Sequence, residues 1–271
     1  MSVPAPPGEP PPPPMHEGQR VSVVIPAYNE EATIAEVVRD FASHPAVDEV
    51  LVVDNNCRDR TAERARAAGA RVVAESAPGY GCALRRGLSE AAGEIVVMVE
   101  ADGSFKALDL PKFLAYMAPD TMVLGTRTTR QMVQQGANMR SLLRWGNVTV
   151  AKLVELMWYI SSEPRLTDVG CTYRALPKAV WERIQPGLSE SGPAFSPEMM
   201  CEVLRHRLRL IEIPVNYCAR EGGESKHSAS YPKIARTALM MLRAIVRKRL
   251  ERAIPGRPAA ARSVPSGPGA G

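Results

Sequence analysis

No run of apolar residues in this chain comes near the 18 or so that a membrane-spanning helix needs. The longest candidate, Val148 to Ile160, is broken by Lys152 and Glu155. No secretory leader is expected either, because the N-terminus is proline-rich and has no apolar core segment. The five cysteines, Cys57, Cys82, Cys171, Cys201 and Cys218, are odd in number and never form a CxxC pair. That usage favours reduced thiols over a disulfide frame or a zinc site, and predicts a cytoplasmic protein. No internal repeat is visible.

What is present suits one large α/β domain or two small ones: 271 residues, 45% hydrophobic and 23% charged. The net charge of +5 is unevenly placed. Between Lys233 and Arg262 nine Lys or Arg face one acid, Glu251, so that segment carries +8 and the remainder sums to −3. The basic character belongs to the C-terminal segment. This argues against a nucleic-acid-binding fold and for a tail that meets an anionic surface.

Residues 1–19 hold eight prolines and read as a disordered leader. Residues 255–271, rich in Gly, Pro, Ala and Ser, read as a disordered tail. Between them short apolar runs alternate with helical spacing. Strands are predicted at Val21–Ile25, Val50–Val53, Arg71–Ala74, Ile95–Val99 and Met122–Leu124. Helices are predicted over Glu30–Phe41, Thr61–Ala68, Ala83–Ala92 and Leu110–Met117. Continuously apolar strands separated by helices indicate a parallel sheet covered on both faces. Farther on, a long helix from about Asn138 to Ile160 is predicted, then a strand at Cys171–Arg174, helices at Lys178–Ile184 and Pro197–Arg205, and a strand at Leu208–Val215.

Four polar clusters follow the strand ends, where ligands bind in such sheets. "PAYNEE", Pro26 to Glu31, reads as a turn in which Asn29 or Glu30 caps the next helix. In "DNNCRDRT" Asp59 is a good N-cap, with Glu63 in the first turn. Asp54 directly follows a buried strand, where a carboxylate is costly unless it meets a donor such as a base N–H or a ribose hydroxyl. "PGYGCALRRG", Pro78 to Gly87, offers glycines for close backbone approach, a helix N-terminus for phosphate, and Arg85 and Arg86 for charge. An ordinary loop explains it as well. In "EIVVMVEADGSF" Glu100 and Asp102 sit two apart on an extended segment, so they point to one side and repel unless a cation lies between them. A hard divalent ion bridging to phosphate oxygens answers that, with Ser104 as a further oxygen. A solvated acidic turn is the plainer alternative.

In order and spacing the four clusters resemble the family 2 glycosyltransferases, closely from about Arg20 to Arg127. That family has the GT-A fold, a Rossmann-like, mostly parallel sheet with helices on both faces. The resemblance implies a nucleotide-sugar site built from Pro26, Tyr28, Glu30, Asp54, Gly79 and Arg85. It makes Asp54 the reader of the base, and Asp102 the main ligand of Mg²⁺ or Mn²⁺ and of the diphosphate. Glu100 departs from the family's D-x-D pattern by one methylene; either it reaches the metal through water or metal use is weaker.

The second half resembles the polyprenyl-phosphate sugar transferases, among them the dolichyl-phosphate mannosyl- and glucosyltransferases. This rests on "VLGTR", "NMRSLLRWGN", "LTDVGCTYRAL" and "REGGESKHS". It implies that Arg127, Arg140 and Arg144 bind acceptor phosphate, and that Arg220 and Lys226 bind the donor diphosphate. The glycine pair between Arg220 and Lys226 suits a basic flap over a leaving group. Asp168 is a candidate general base for a hydroxyl acceptor. A phosphate acceptor is already anionic and would leave Asp168 an orienting role, and a turn cap at Thr167–Asp168 is a third reading.

The expected organisation is a GT-A domain over 20–232 and a basic amphipathic helix over 233–254. Ile234, Ala238, Met241 and Ile245 share one side of that helix, and Arg236, Arg243 and Arg247 lie opposite. It either lies on an anionic leaflet or docks on the domain. The expected activity is a single inverting transfer of a hexose from a GDP-mannose or UDP-glucose type of donor to a polyprenyl phosphate, by a protein peripheral on the inner membrane face. Transfer to a hydroxyl of a glycan or secondary metabolite, and silent binding of a nucleotide sugar, are the competing readings. A nucleotidyltransferase would need a Gly-rich loop with a basic residue near the first strand, and "PAYNEE" offers none.

Overall fold

The computed structural model describes residues 18–134, 141–220 and 231–251. A seven-stranded sheet has the order β3-β2-β1-β4-β6-β5-β7. Its strands are β1 (Val21–Ala27), β2 (Glu49–Asp54), β3 (Arg71–Ala74), β4 (Ile95–Met98), β5 (Thr121–Thr126), β6 (Arg174–Pro177) and β7 (Arg209–Pro214). The pairs β1·β2, β1·β4, β2·β3 and β5·β7 are parallel, and β6 alone runs antiparallel to β4 and β5. The expected mostly parallel sheet is therefore present, with one reversed strand that apolar composition could not reveal.

Alternation along each strand splits the core into two layers. Val21, Val23 and Ile25 of β1 face α1 (Ile34–Ala42), α2 (Thr61–Ala67) and α4 (Leu110–Ala115). Val24, with Leu51 and Val53 of β2, faces α3 (Tyr80–Glu90), on the side that also buries residues of α5 (Ser141–Ser162), α6 (Lys178–Ile184), α7 (Phe195–Arg205) and α8 (Tyr231–Leu250). Ile34, Val37, Val38 and Phe41 are the buried stripe of α1. Truncating the fully buried Phe41 to Ala would cost about 3–5 kcal/mol.

Two local expectations change. Neither Asn29 nor Glu30 caps α1 with its side chain. The carbonyl of Glu30 accepts the N–H groups of Thr33 and Ile34, and Asn29 takes a left-handed φ of 56°. The strand expected at Cys171–Arg174 begins instead at Arg174. Arg174 is buried and donates to the carbonyls of Cys171, Val169 and Ser196, which draws Cys171 back toward its guanidinium, while the Tyr173 carbonyl still accepts the Gly125 N–H of β5 at 2.8 Å.

The 1–19 leader lies outside the described residues except for Gly18 and Gln19, and the 255–271 tail lies wholly outside. Among the described residues no helix is long and apolar enough to cross a membrane. The C-terminal helix docks on α7 and α5, burying Ala244 and Ile245. Arg247, expected on the solvent side, pairs with buried Glu198 of α7 at 2.6 Å.

Candidate active site

Strands β1 and β4 lie side by side while the chain runs outward from β1 through β2 to β3. Crevices open at the carboxyl ends of strands where the order reverses in this way. Here a cavity of about 650 Å³ is lined by Pro26, Tyr28, Glu30, Gly79, Glu100, Asp102 and Arg220. All seven are residues anticipated from sequence. The cavity is of a size that holds a small-molecule ligand or cofactor.

The loop after β4 carries the acids. Asp102 is buried, and its Oδ1 accepts the backbone N–H of Ser104 at 3.0 Å, which fixes the carboxylate in a tight turn at Gly103 with φ 75°. The hydroxyl of Thr33 donates to the carbonyl of Ala101 at 2.8 Å and ties this loop to α1. Arg220 brings its Nε to 2.9 Å from Asp102 Oδ2 and its Nη2 to 3.6 Å from Glu100 Oε2. Thr172 donates to Glu100 Oε1 at 3.0 Å. Burial and then the charge of Asp102 push the Glu100 carboxyl up to about 7, against the pull of Arg127 and Arg220. Burial is the larger cause, and the like charge of the second carboxylate facing the same space adds to it.

Other anticipated residues are placed differently. The Asp54 side chain is not part of the cavity wall; its Oδ1 accepts the N–H of Cys57 at 2.8 Å and closes its own turn. The next residues, Asn55, Asn56 and Arg58, line the cavity in its stead. Arg85 is turned away, donating to the carbonyls of Leu188 and Glu190 at 3.3 and 3.2 Å. The amides expected to meet phosphate at the start of α3 are spent inside the protein. Gly79 N–H goes to Asn55 Oδ1 at 2.9 Å, and Gly81 N–H goes to the Ser191 carbonyl at 2.7 Å. Ser104 is fully buried behind Asp102, and among the described residues its hydroxyl has no hydrogen-bond partner.

Asp168 does not suit the role of a base. It is fully buried, and Arg127 binds both its oxygens. Burial raises the carboxyl, but the charge and hydrogen bonds of Arg127 outweigh it and hold Asp168 below the usual carboxylate range. Arg127 in turn stacks over Tyr217, 5.3 Å from the ring centre. The fixed arginine and Arg144, half-buried on α5, stand outside the cavity lining. Arg140, Lys226 and the rest of residues 221–230, expected to form a basic flap, lie outside the described residues.

Sequence reasoning missed Glu212 of β7. Its carboxylate accepts the N–H groups of Thr167 and Asp168 at 2.7 and 2.8 Å, and burial pushes it up to about 7. It also missed the wall formed by Gly192 and Pro193. Only the glycine–proline pair itself hinted at a special loop.

The family described as "Glycosyl transferase family 2" matches residues 22–170, more than half of the chain and the part that builds β1 to β5 and the acidic loop. The chain belongs to glycosyl transferase family 2. As a family 2 glycosyltransferase it transfers sugar from a nucleotide-sugar donor. It is 34% identical over 215 residues to an uncharacterized glycosyltransferase of Mycobacterium tuberculosis, covering 79% of this chain and 92% of that one. It is 29% identical to an undecaprenyl-phosphate 4-deoxy-4-formamido-L-arabinose transferase of Pseudomonas paraeruginosa, over 77% of this chain and 60% of that protein. The GT-A fold is shared with glucosyl-3-phosphoglycerate synthase of M. tuberculosis, solved with Mn²⁺, UDP-glucose and phosphoglyceric acid. That likeness has a TM-score of 0.65 at 22% identity and covers 86% of this chain and 80% of that one.

Proposed function

We propose that this family 2 glycosyltransferase moves a hexose from a nucleoside diphosphate sugar to a polyprenyl phosphate presented at a membrane surface. The observation that carries the acceptor is the state of Asp168. A hydroxyl acceptor needs a base to take its proton, and the carboxylate anticipated for that task is locked against Arg127. Among the described residues the carboxylates lining the cavity are Glu30, Glu100 and Asp102, and the last two are paired with Arg220. A phosphate acceptor needs no base. The similarity to an undecaprenyl-phosphate transferase supports the same choice.

The donor set fits Mg²⁺ or Mn²⁺. Glu100 and Asp102 are hard oxygen donors facing the same cavity, and a buried hydroxyl at Ser104 lacks a partner beside them among the described residues. Glu100 and Asp102 would hold the ion. When bound, it neutralises charge on the donor diphosphate as that group departs. The solved neighbours that contain Mn²⁺ or Mg²⁺ together with UDP support this reading.

The chain's own residues do the rest. Tyr28, Asn55, Asn56 and Arg58 bound the nucleoside end of the cavity, and Arg220 stands at the acidic end to offset charge on the departing diphosphate. An oxygen of the acceptor phosphate attacks the anomeric carbon. The bond from that carbon to the diphosphate breaks, its electron pair leaves with the nucleoside diphosphate, and the configuration inverts.

Contact with a lipid leaflet is supported by the outer side of α8. Leu239, Val246 and Leu250 are 48%, 41% and 80% exposed along one stripe of the helix, with Arg243 exposed beside them. The deciding experiment incubates the purified protein with GDP- and UDP-sugars, Mn²⁺ and a short polyprenyl phosphate, and looks for a lipid-linked sugar by mass spectrometry. No such product with any donor overturns the lipid acceptor.

A further inference from the structure

Glu198 of α7 is fully buried, yet its carboxylate is crowded with donors. It accepts the Ser189 N–H at 3.1 Å on Oε1 and 3.0 Å on Oε2, the Ser189 hydroxyl at 2.9 Å, and the Glu190 N–H at 2.8 Å. A carboxylate so engaged fixes the backbone that feeds it. That backbone belongs to the loop that walls the cavity. Gly192 and Pro193 line the cavity, and the Ser191 carbonyl receives Gly81 N–H at the start of α3. The contact between loop and helix leaves no slack, since a Cβ at Gly81 would lie 2.3 Å from the Glu190 carbonyl oxygen.

The cation that completes this arrangement comes from the C-terminal helix. Arg247 Nη2 lies 2.6 Å from Glu198 Oε1, 3.0 Å from Glu190 Oε1 and 2.9 Å from the Ser189 hydroxyl. Its neighbour Lys248 is 2% exposed; it pairs with Glu202 at 2.8 Å and donates to the Gly187 carbonyl, so the helix is pinned at the root of the same loop.

We propose that Arg247 is a positioning residue for the nucleotide sugar. Through Glu198, α8 holds the 188–193 loop in the shape that completes the cavity, so donor affinity depends on a residue that does not line the donor cavity. The inference rests on reading that cavity as the nucleotide-sugar site. Without Arg247 the loop has alternatives, and apparent affinity falls by the fraction of chains that still hold the competent shape. KM for the donor rises, and kcat at saturating donor stays near its original value.

The test uses the full chain, with UDP and GDP as probes in the presence of Mn²⁺, read by calorimetry. Arg247→Ala weakens the nucleotide that the unaltered chain binds by about fivefold. Arg247→Lys regains part of the loss, and Arg66→Ala, exposed on α2, changes nothing. Hydrogen exchange at the Gly81 amide accelerates in Arg247→Ala. Equal affinity in Arg247→Ala and the unaltered chain overturns the proposal, as does an equal loss in Arg66→Ala. If Arg247→Ala does not fold, Arg247→Lys carries the test, and unchanged affinity with unchanged Gly81 exchange overturns it. An unaltered chain that binds neither nucleotide sinks both the cavity reading and this proposal, whereas full binding by every variant sinks this proposal alone.

Discussion

Arg127 holds Asp168 at both carboxylate oxygens, with Nε 2.8 Å from Oδ2 and Nη2 3.0 Å from Oδ1, and its own backbone N–H reaches Oδ2 at 3.1 Å. The pair is buried, so each member exists at the expense of its hydration and is secure only while the other is present.

Asp168→Asn therefore leaves a buried guanidinium without its counter-charge and should lower stability by about 3–5 kcal/mol. The sign with pH follows from the depressed carboxyl. The stabilisation is complete above the ordinary carboxylate range and is lost as pH falls through the lower folded value. Denaturant unfolding of both chains at pH 7 and in acid measures this; matching midpoints at pH 7 would disprove it.

Asp102→Asn keeps the side chain's size and removes its charge. Donor turnover should fall by about a hundredfold or more, the scale of losing one electrostatic contact in a transition state. Helical content by circular dichroism should stay unchanged. A variant that turns over at the original rate would remove Asp102 from the chemistry.

Glu100 titrates near 7 in the free protein, raised by burial and by Asp102. A cation must displace that proton, so Mn²⁺ affinity should climb as pH rises from 6 to 8, on the order of tenfold per unit while the proton is in place. Glu100→Gln should flatten the climb. Calorimetric titration of Mn²⁺ across that range is the check, and a level profile for the unaltered chain would refute it.

Gly81→Ala places a Cβ 2.3 Å from the Glu190 carbonyl, a backbone atom that cannot swing aside. The helix or the loop must move, at a cost of about 1–3 kcal/mol. Both thermal stability and nucleotide affinity should drop together. Unchanged melting would mean that the loop is looser than its contacts imply.

Replacing Val246 and Leu250 by Glu removes apolar area from the exposed stripe of α8 and sets acid against an anionic leaflet. Co-sedimentation with phosphatidylglycerol vesicles should be strong for the unaltered chain and weak for the double variant. Failure of the unaltered chain to sediment would argue that the stripe faces something else.

Much of the donor side was legible in the chain itself. The segments after β1 and β4 each set polar residues at the end of a buried strand, and Pro26, Tyr28, Glu30, Glu100 and Asp102, which the family resemblance assigned to the donor site, all reach the cavity. The "DNNCRDRT" segment was legible as a segment but not by residue. Asp54 spends its carboxylate on Cys57, and Asn55, Asn56 and Arg58 take the wall. Which side chain turns inward depends on local hydrogen bonding that strand periodicity does not encode. Arg85 illustrates the same limit, because its carbonyl partners lie more than a hundred residues away in sequence.

By itself the amino-acid order determined the alternation of strand and helix, the placing of polar clusters at strand ends, and the setting of Glu100 two residues from Asp102 after a buried strand. These are local properties, set by side-chain period and by the cost of exposing apolar surface or burying charge. Only the tertiary structure decided that β6 runs backwards, that Asp168 belongs to Arg127, and that the basic C-terminal helix answers two buried glutamates of α7. Each of those outcomes joins residues distant in sequence, and a buried charge is settled by whichever opposite charge packing brings beside it.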